Sequence, residues 1–382
     1  MASRTHGETN VNAPAFPHPA SSAAAFTLSG MAIPVDAGDM LTEICEHFVD
    51  HAEVFRDGDR VTLSSEIGEA VIERVSEQLD IRLACPTADM LQMTRAIIAE
   101  HLFMFAGDDP LSLEWADQPK PTTLRDLSEV RIVSAENVTP RMRRLVVSCE
   151  DAARFDTADG LHVRLLMPPK DRPTLWPKTR SDGRVAWPEG EDEIFVRYYT
   201  IRRVDLQRKE MTIDFVVHDD CGQSDGRRMP GTKFGMSAQP GDRAGLLGPG
   251  AGGMPRARDL LLFGDETALP VIARMAEMAT PDMRIEAVIE VADAAEEQAL
   301  ASSAGFFSVR WLHRNGAEPG TTRLLDAAVA ERLPTLGAET YVWAACEKNE
   351  AQAIRARLRN HGLDRSRMSA ITYWRRGYTG ES

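Results

Sequence analysis

The chain has 382 residues, 43% of them hydrophobic, and a formal net charge of -14. That length exceeds what one hydrophobic core usually organises and predicts two or three domains. The acidic balance argues against a nucleic-acid duplex or a membrane surface as the main partner, because either needs a broad basic face.

The first stretch, Ala13 to Ser29, is rich in Ala, Pro and Ser. It predicts a disordered tail over residues 1–35, with Met31 as a candidate start. It lacks the basic flank and long apolar stretch of a secretory signal, and no apolar run in the chain approaches the ~20 residues of a membrane span. The five cysteines (Cys45, Cys85, Cys149, Cys221 and Cys346) are widely spaced, with no CxxC pair. They read as reduced thiols of a cytoplasmic protein.

Residues 36–117 predict a small α+β domain: a helix around Leu41 to Phe48, two short strands, and a helix from Ala88 to Phe105. The run Ala-Asp-Gln-Pro-Lys-Pro, Ala116 to Pro121, leads into a linker at 118–123. Over 124–252, the alternating runs Arg144–Ser148, Leu161–Leu166, Phe195–Arg202 and Met211–Val217 stand between Gly/Pro-rich turns and predict an antiparallel β-barrel.

Over 253–382 the rhythm becomes strand, turn and helix. Strands are expected at Asp259–Phe263, Arg284–Val291, Ser308–Leu312, Tyr341–Ala345 and up to Tyr373-Trp374. Helices are expected from Pro270, at Thr322–Leu333 and through Ala351, Ile354 and Leu358. That is the pattern of a Rossmann-like parallel α/β domain, which binds ligands beyond the carboxyl ends of its strands.

The run Val196 to Arg202 reads Val-Arg-Tyr-Tyr-Thr-Ile-Arg. Alternation puts Arg197, Tyr199 and Arg203 on one face and Tyr198 and Thr200 on the other. An aromatic beside an arginine and a hydroxyl suits a flavin: Tyr199 to stack on the ring, Arg197 to pair with the pyrophosphate, Thr200 to bond near the reactive nitrogen. Alone, the run reads first as a set of good strand formers. At the other end of the chain, Phe263 closes a strand, Gly264 relieves the turn, and Asp265, Glu266, Thr267 and Ala268 open a helix whose first-turn amides favour phosphates. An ordinary strand-to-helix loop capped by Thr267 explains that turn equally well.

Arg197-Tyr198-Tyr199-Thr200 resembles the R-x-Y-[ST] flavin motif of the ferredoxin-NADP reductase superfamily. More narrowly, the chain resembles the siderophore-interacting proteins. Matching segments follow in order: Val138 to Arg144, His162 to Leu166 with Pro168, Asp214 to His218, Gly264 to Pro270, Trp311 to Arg314 and Tyr373 to Gly377. The resemblance implies FAD on the barrel and NADH or NADPH as donor, with a ferric siderophore as substrate. It assigns Tyr199 and Thr200 catalytic roles. Cofactor contacts are implied for Arg197, Val217, His218, Pro230, Gly231, Thr232, Glu347 and Gly264 through Ala268. Arg164, Arg375 and Arg376 would meet the anionic substrate, which an acidic protein must hold with local arginines.

Three departures stand out: Phe234 replaces the family's usual Trp, Gly250 stands where a basic residue is common, and Cys346 takes the place of Gly before Glu347. Residues 36–117 resemble the bacterial domain DUF2218. Its His47, His51 and His101 are possible metal ligands, but capping and core roles are commoner for histidines, and no metal site is expected. Within Glu290, Asp293 and Arg314, the two acids lean toward NADH and the arginine toward NADPH. Two other readings stay open: a reductase for another acceptor, such as free flavin or ferredoxin, and a non-catalytic flavin- and siderophore-binding protein.

Overall fold

The computed structural model describes residues 26–49, 52–65, 67–117, 123–217, 230–250 and 252–377. They form two compact units, one comprising the chain to Arg125 with Lys178–Ala186, the other Asp126–Pro177 with Trp187 onward.

The first unit begins with a strand, Phe26–Ile33 (β1), so the tail expected to residue 35 is corrected from Phe26 on. Leu28 and Ala32 are buried by alternation, a signal that the surrounding Ala, Pro and Ser composition obscured. Met31 lies inside this strand. Then come Ala37–Phe48 (α1), Glu53–Asp57 (β2), Arg60–Ser65 (β3), Gly68–Val75 (β4), Gln78–Cys85 (β5), Ala88–Ala106 (α2) and Ser112–Trp115 (β6). The Asp36 carboxylate accepts from the amides of Gly38 and Asp39, and the Thr87 hydroxyl oxygen from that of Met90, which starts both helices.

The sheet runs β2-β3-β4-β5-β1-β6. Two strands were expected between the helices and four are present. Their outward residues are charged, and only alternate residues such as Val61, Leu63, Ile72, Leu79, Ile81 and Leu83 enter the core with Leu41, Ile44, Ile98 and Leu102.

The second unit opens with Leu127–Thr139 (β7), Met142–Ser148 (β8) and His162–Met167 (β9). Lys178–Thr179 (β10) and Val185–Ala186 (β11) follow as a hairpin belonging to the first unit. The chain resumes with Phe195–Asp205 (β12), Glu210–Val216 (β13), Pro230–Ser237 (α3) and Arg243–Gly250 (β14). Six of these strands close an antiparallel barrel in the order β12-β13-β8-β7-β14-β9. Its interior is filled by Val130, Leu145, Val163, Leu165, Ile213, Phe215 and Leu246.

Asp259–Gly264 (β15), Leu269–Met278 (α4), Arg284–Val291 (β16), Phe306–His313 (β17), Leu324–Arg332 (α5), Thr340–Glu347 (β18), Lys348–Asn360 (α6) and Met368–Trp374 (β19) complete the unit. The sheet is parallel, ordered β17-β16-β15-β18-β19. Strand order reverses beside β15, which puts a ligand crevice at the carboxyl ends of β15 and β18.

Barrel and sheet share this unit through specific polar ties. Arg274 on α4, 3% exposed, donates to the carbonyls of Phe155, Thr157, Leu161 and Ile201. Burial pulls its pKa down to about 10, which still leaves it charged at neutral pH. Glu296 accepts from Thr139 Oγ1 at 2.5 Å and from the Arg141 amide at 3.0 Å.

Candidate functional site

The β9–β12 pairing organises the barrel site. Arg164 lies opposite Tyr198, Val163 opposite Tyr199 and His162 opposite Thr200. Directly opposed residues share a face with Cβ atoms about 5 Å apart. Arg164, Tyr198, His162 and Thr200 therefore share one face, with Tyr198 53% exposed and Thr200 5%. Arg197 and Tyr199 take the barrel side with Val163 and Leu165. A bulge between Ile201 and Arg203 breaks the alternation, so the expected alignment of Arg203 with Arg197 and Tyr199 fails there.

The Tyr199 ring packs on Phe215 with centroids 4.2 Å apart, and burial pushes its phenol well above its usual pKa. The hydroxyl reaches the start of α3: a Cβ on Gly231 would come within 2.1 Å of Tyr199 Oη. Gly231 is required at that close approach. Pro230 and Thr232 are buried beside it, and the Val217 amide is held by the Arg141 carbonyl at 2.8 Å. His218 and Cys221 lie outside the described residues.

Beyond Arg197, β12 leads to a cavity of about 500 Å³ lined by Pro168, Lys170, Glu193, Phe195, Lys233 and Phe234. Five strand steps separate Thr200 from Phe195, about 17 Å. Its volume lies within the usual ligand range, and its charged lining sets Lys170, itself paired with Asp242, and Lys233 against Asp171, Glu191 and Glu193. Thr200, Tyr199 and Arg197 would hold the flavin of FAD.

The nucleotide end departs from expectation. Gly264 is needed, since a Cβ there would come within 2.6 Å of the Ala268 Cβ. The amides expected to meet phosphates are occupied: Asp265 accepts from the Thr267 amide at 2.9 Å through Oδ1 and from the Ala268 and Leu269 amides through its carbonyl. Asp265 thus holds the turn that leads into α4, and Thr267 spends its hydroxyl on the same oxygen at 2.5 Å. Burial, then the neighbouring Glu266, push the Asp265 carboxyl up to about 7.

The other Asp265 oxygen accepts from Trp374 Nε1 at 2.7 Å. Glu347, 1% exposed, accepts from the Asn349 amide at 2.6 Å and the Arg376 amide at 3.2 Å. Both acids therefore fasten the end of β19, after which Arg375 and Arg376 are exposed. Cys346 is buried in the core under α5 and α6, where desolvation drives its thiol pKa upward.

Arg314 donates to both oxygens of Glu266 at 2.7 Å and to Glu290 at 3.3 Å, with its side chain 2% exposed. Glu290 also accepts from Thr322 at 3.0 Å. Arg314 and Glu290 are committed to each other, and of the three donor-selecting candidates only Asp293 faces solvent. His313 pairs with Glu297 at 2.8 Å. In the first unit, His47 and His101 lie ring to ring at 4.8 Å beside Phe48 and Phe105, while His51 is outside the described residues.

The sequence reading missed His162, whose Nε2 lies 2.9 Å from the Tyr373 hydroxyl. Its i, i+2 spacing from Arg164 was the available signal. Phe215 under Tyr199, Lys170 and Lys233 were also missed, because only tertiary folding brings them to β12.

An antiparallel flavin-type barrel joined to a parallel sheet whose strand order reverses at the ligand crevice defines a flavin-reductase architecture. Within that class the chain belongs to the siderophore-interacting protein family. Residues 257–377 match the siderophore-interacting protein family, 131–253 the siderophore-interacting FAD-binding domain, and 33–116 the domain described as an uncharacterized protein conserved in bacteria, DUF2218.

The ferric vibriobactin reductase ViuB of Vibrio cholerae is 30% identical over 257 residues, covering 65% of this chain and 90% of that protein. The ferric acinetobactin reductase of Acinetobacter baumannii is 29% identical over 217 residues, 54% of this chain and 70% of its own. Among solved structures, a siderophore utilization protein from T. fusca superposes with a TM-score of 0.57 at 37% identity, covering 68% of this chain and 97% of that one. Among the described residues, no helix is long and apolar enough to cross a membrane.

Proposed function

We propose that this chain reduces ferric siderophores in the cytoplasm, drawing electrons from a nicotinamide dinucleotide through FAD held on the barrel. One observation carries the reading: the β9–β12 register sets Arg164 directly opposite exposed Tyr198, on the same face as Thr200. A cation that can hold an anionic iron chelate thus neighbours the hydroxyl assigned to the flavin ring. Relatives named as ferric-siderophore reductases support it.

FAD held there would supply the chemistry that links a two-electron hydride donor to a one-electron ferric acceptor. One nicotinamide accordingly serves two ferric centres. Arg164 holds the chelate, with Arg375 and Arg376 as further anion contacts. Thr200 would hold the ring with its hydroxyl, and Tyr199, backed by Phe215, would support it. Siderophore oxygens are hard ligands that favour ferric over ferrous iron, so reduction loosens the metal. Arg314 is neutralised by Glu266 and Glu290, so NADH is the expected donor over NADPH.

A second reading, a flavin- and siderophore-binding protein without turnover, is favoured by the occupied amides at α4 and the acids around them. An anaerobic absorbance trace separates the two. Bleaching of bound flavin by NADH, then ferrous iron on adding ferric siderophore, supports the reductase. A flavin that stays oxidised with both donors sinks it, and a protein that holds no FAD after reconstitution sinks both.

A further inference from the structure

The end of β19 is tied at three successive points, all within the second unit. Its partner β18 sets Cys346 opposite Thr372 and Glu347 opposite Trp374, so Tyr373 is the extra residue of a bulge. Bulges re-aim side chains, and the two neighbouring aromatics here make different contacts. The Tyr373 ring meets Trp343 and His162 edge to face, and its hydroxyl lies 2.9 Å from His162 Nε2. His162 shares the barrel face of Arg164 and Thr200. Trp374 Nε1 instead donates to Asp265 Oδ2 at 2.7 Å. Gly320, at φ +69°, walls the indole: a Cβ there would come within 2.9 Å of Trp374 Cη2 and 2.8 Å of Glu347 Cγ. Two residues on, the Arg376 amide donates to Glu347 Oε1 at 3.2 Å.

The two acids are used alike. Asp265 is 5% exposed and Glu347 1%, and a buried carboxylate is costly unless donors meet its oxygens. One oxygen of each is met by its own turn, from Thr267 and from the Asn349 amide. The other is met by the end of β19. The resemblance gave both acids to the nucleotide, whereas the fold gives one oxygen of each to the segment that carries exposed Arg375 and Arg376. Arginines on a loose strand end would lose chain freedom when an anion binds, and that loss weakens binding. Here the backbone on which they stand is fixed beforehand, and Tyr373 docks it on the face that holds Arg164.

We propose that Asp265, Glu347 and Trp374 are positioning residues for the substrate: by fastening the end of β19 they hold Arg375 and Arg376 beside the Arg164 face, and so set how tightly an anionic ferric chelate is bound. The role of the arginines rests on the functional reading above. The three positioning residues act through that backbone and do not touch the chelate.

The test uses the full chain reconstituted with FAD and a ferric catecholate complex as the anion. Affinity is measured by titration calorimetry on the oxidised protein, and turnover by ferrous iron released with NADH. Trp374→Phe keeps an aromatic ring and removes the N–H that meets Asp265. Asp265→Asn attacks the same bond from its other side, in case the first variant misfolds. Arg375→Ala/Arg376→Ala removes the cations themselves. The arginine variant should bind the chelate about tenfold more weakly. Trp374→Phe and Asp265→Asn should each weaken it about fivefold, with Trp374→Phe raising KM for the chelate far more than it changes kcat or KM for NADH. Added to the arginine variant, Trp374→Phe should weaken binding no further, because residues that act through one another are not additive. A full further loss in that combination overturns the proposal. So does a chelate affinity within about twofold of wild type for Trp374→Phe and Asp265→Asn where the arginine variant has lost its own. An arginine variant that binds the chelate as wild type does sinks the substrate role of the arginines, and the positioning role falls with it.

Discussion

At the scale of single residues, the site depends on close approaches that tolerate no added atoms. Gly231→Ala places a methyl group where Tyr199 Oη lies. Overpacking of this kind costs about 1–3 kcal/mol, and the displaced ring also leaves Phe215. The expected result is roughly tenfold weaker FAD binding with a lower melting temperature, measured by flavin titration and thermal unfolding. Arg314→Ala leaves buried Glu290 and half-buried Glu266 without their cation, a loss of about 3–5 kcal/mol. Urea unfolding checks the stability loss. In the wild type, kcat/KM should favour NADH, and a preference for NADPH would contradict the internal pairing of Arg314. Part of this scale was legible beforehand: the Arg-x-Tyr-Thr run lies on β12 and the Gly-Asp-Glu-Thr turn begins at the end of β15. Their partners were not legible, because Phe215, Arg314 and Trp374 lie 16, 48 and 109 residues from Tyr199, Glu266 and Asp265.

At the scale of elements, α5 and α6 share a buried acid. Glu350, 4% exposed, accepts from the Asp326 amide at 3.0 Å, and burial pushes its carboxyl from 4.5 up to about 7. The folded state therefore binds more protons than the unfolded chain between those values, so stability contributed by Glu350 is present below about pH 4.5 and is lost as pH rises toward 7. The loss is on the order of 3 kcal/mol. Glu350→Gln keeps an acceptor for the Asp326 amide and cannot ionise. It should raise the melting temperature at pH 8 and change it little at pH 5, as thermal unfolding at the two pH values would reveal. Element types were readable where the apolar pattern was strong, as at β15, buried on both faces. They were undercounted between α1 and α2, where half-exposed strands carry charges outward. They were missed at β1, where small residues hid a two-residue alternation.

At the scale of the whole molecule, Arg274 is the tie between the barrel and the parallel sheet of the second unit. Its guanidinium satisfies four barrel carbonyls, one of them Ile201, next to Thr200. Arg274→Met fills similar space but leaves those carbonyls without their donor, at about 1–3 kcal/mol for each that water does not reach. The expected outcome is a lower melting temperature and slower flavin reduction by NADH in stopped-flow, with FAD affinity changed less than threefold. Equal loss of FAD affinity would show that the tie supports the barrel itself and not its alignment with the donor domain.

The sequence by itself determined the family, the barrel followed by an α/β domain, and the strand that carries the flavin motif, because these rest on local periodicity and on ordered segments. Only the tertiary structure decided that the α4 amides are taken by Asp265, that Arg314 is neutralised inside the fold, and that Lys178–Ala186 folds with the N-terminal unit. Each of those outcomes depends on which distant groups share a buried volume, where desolvation penalises charges and amides left without a partner. No local pattern encodes that choice.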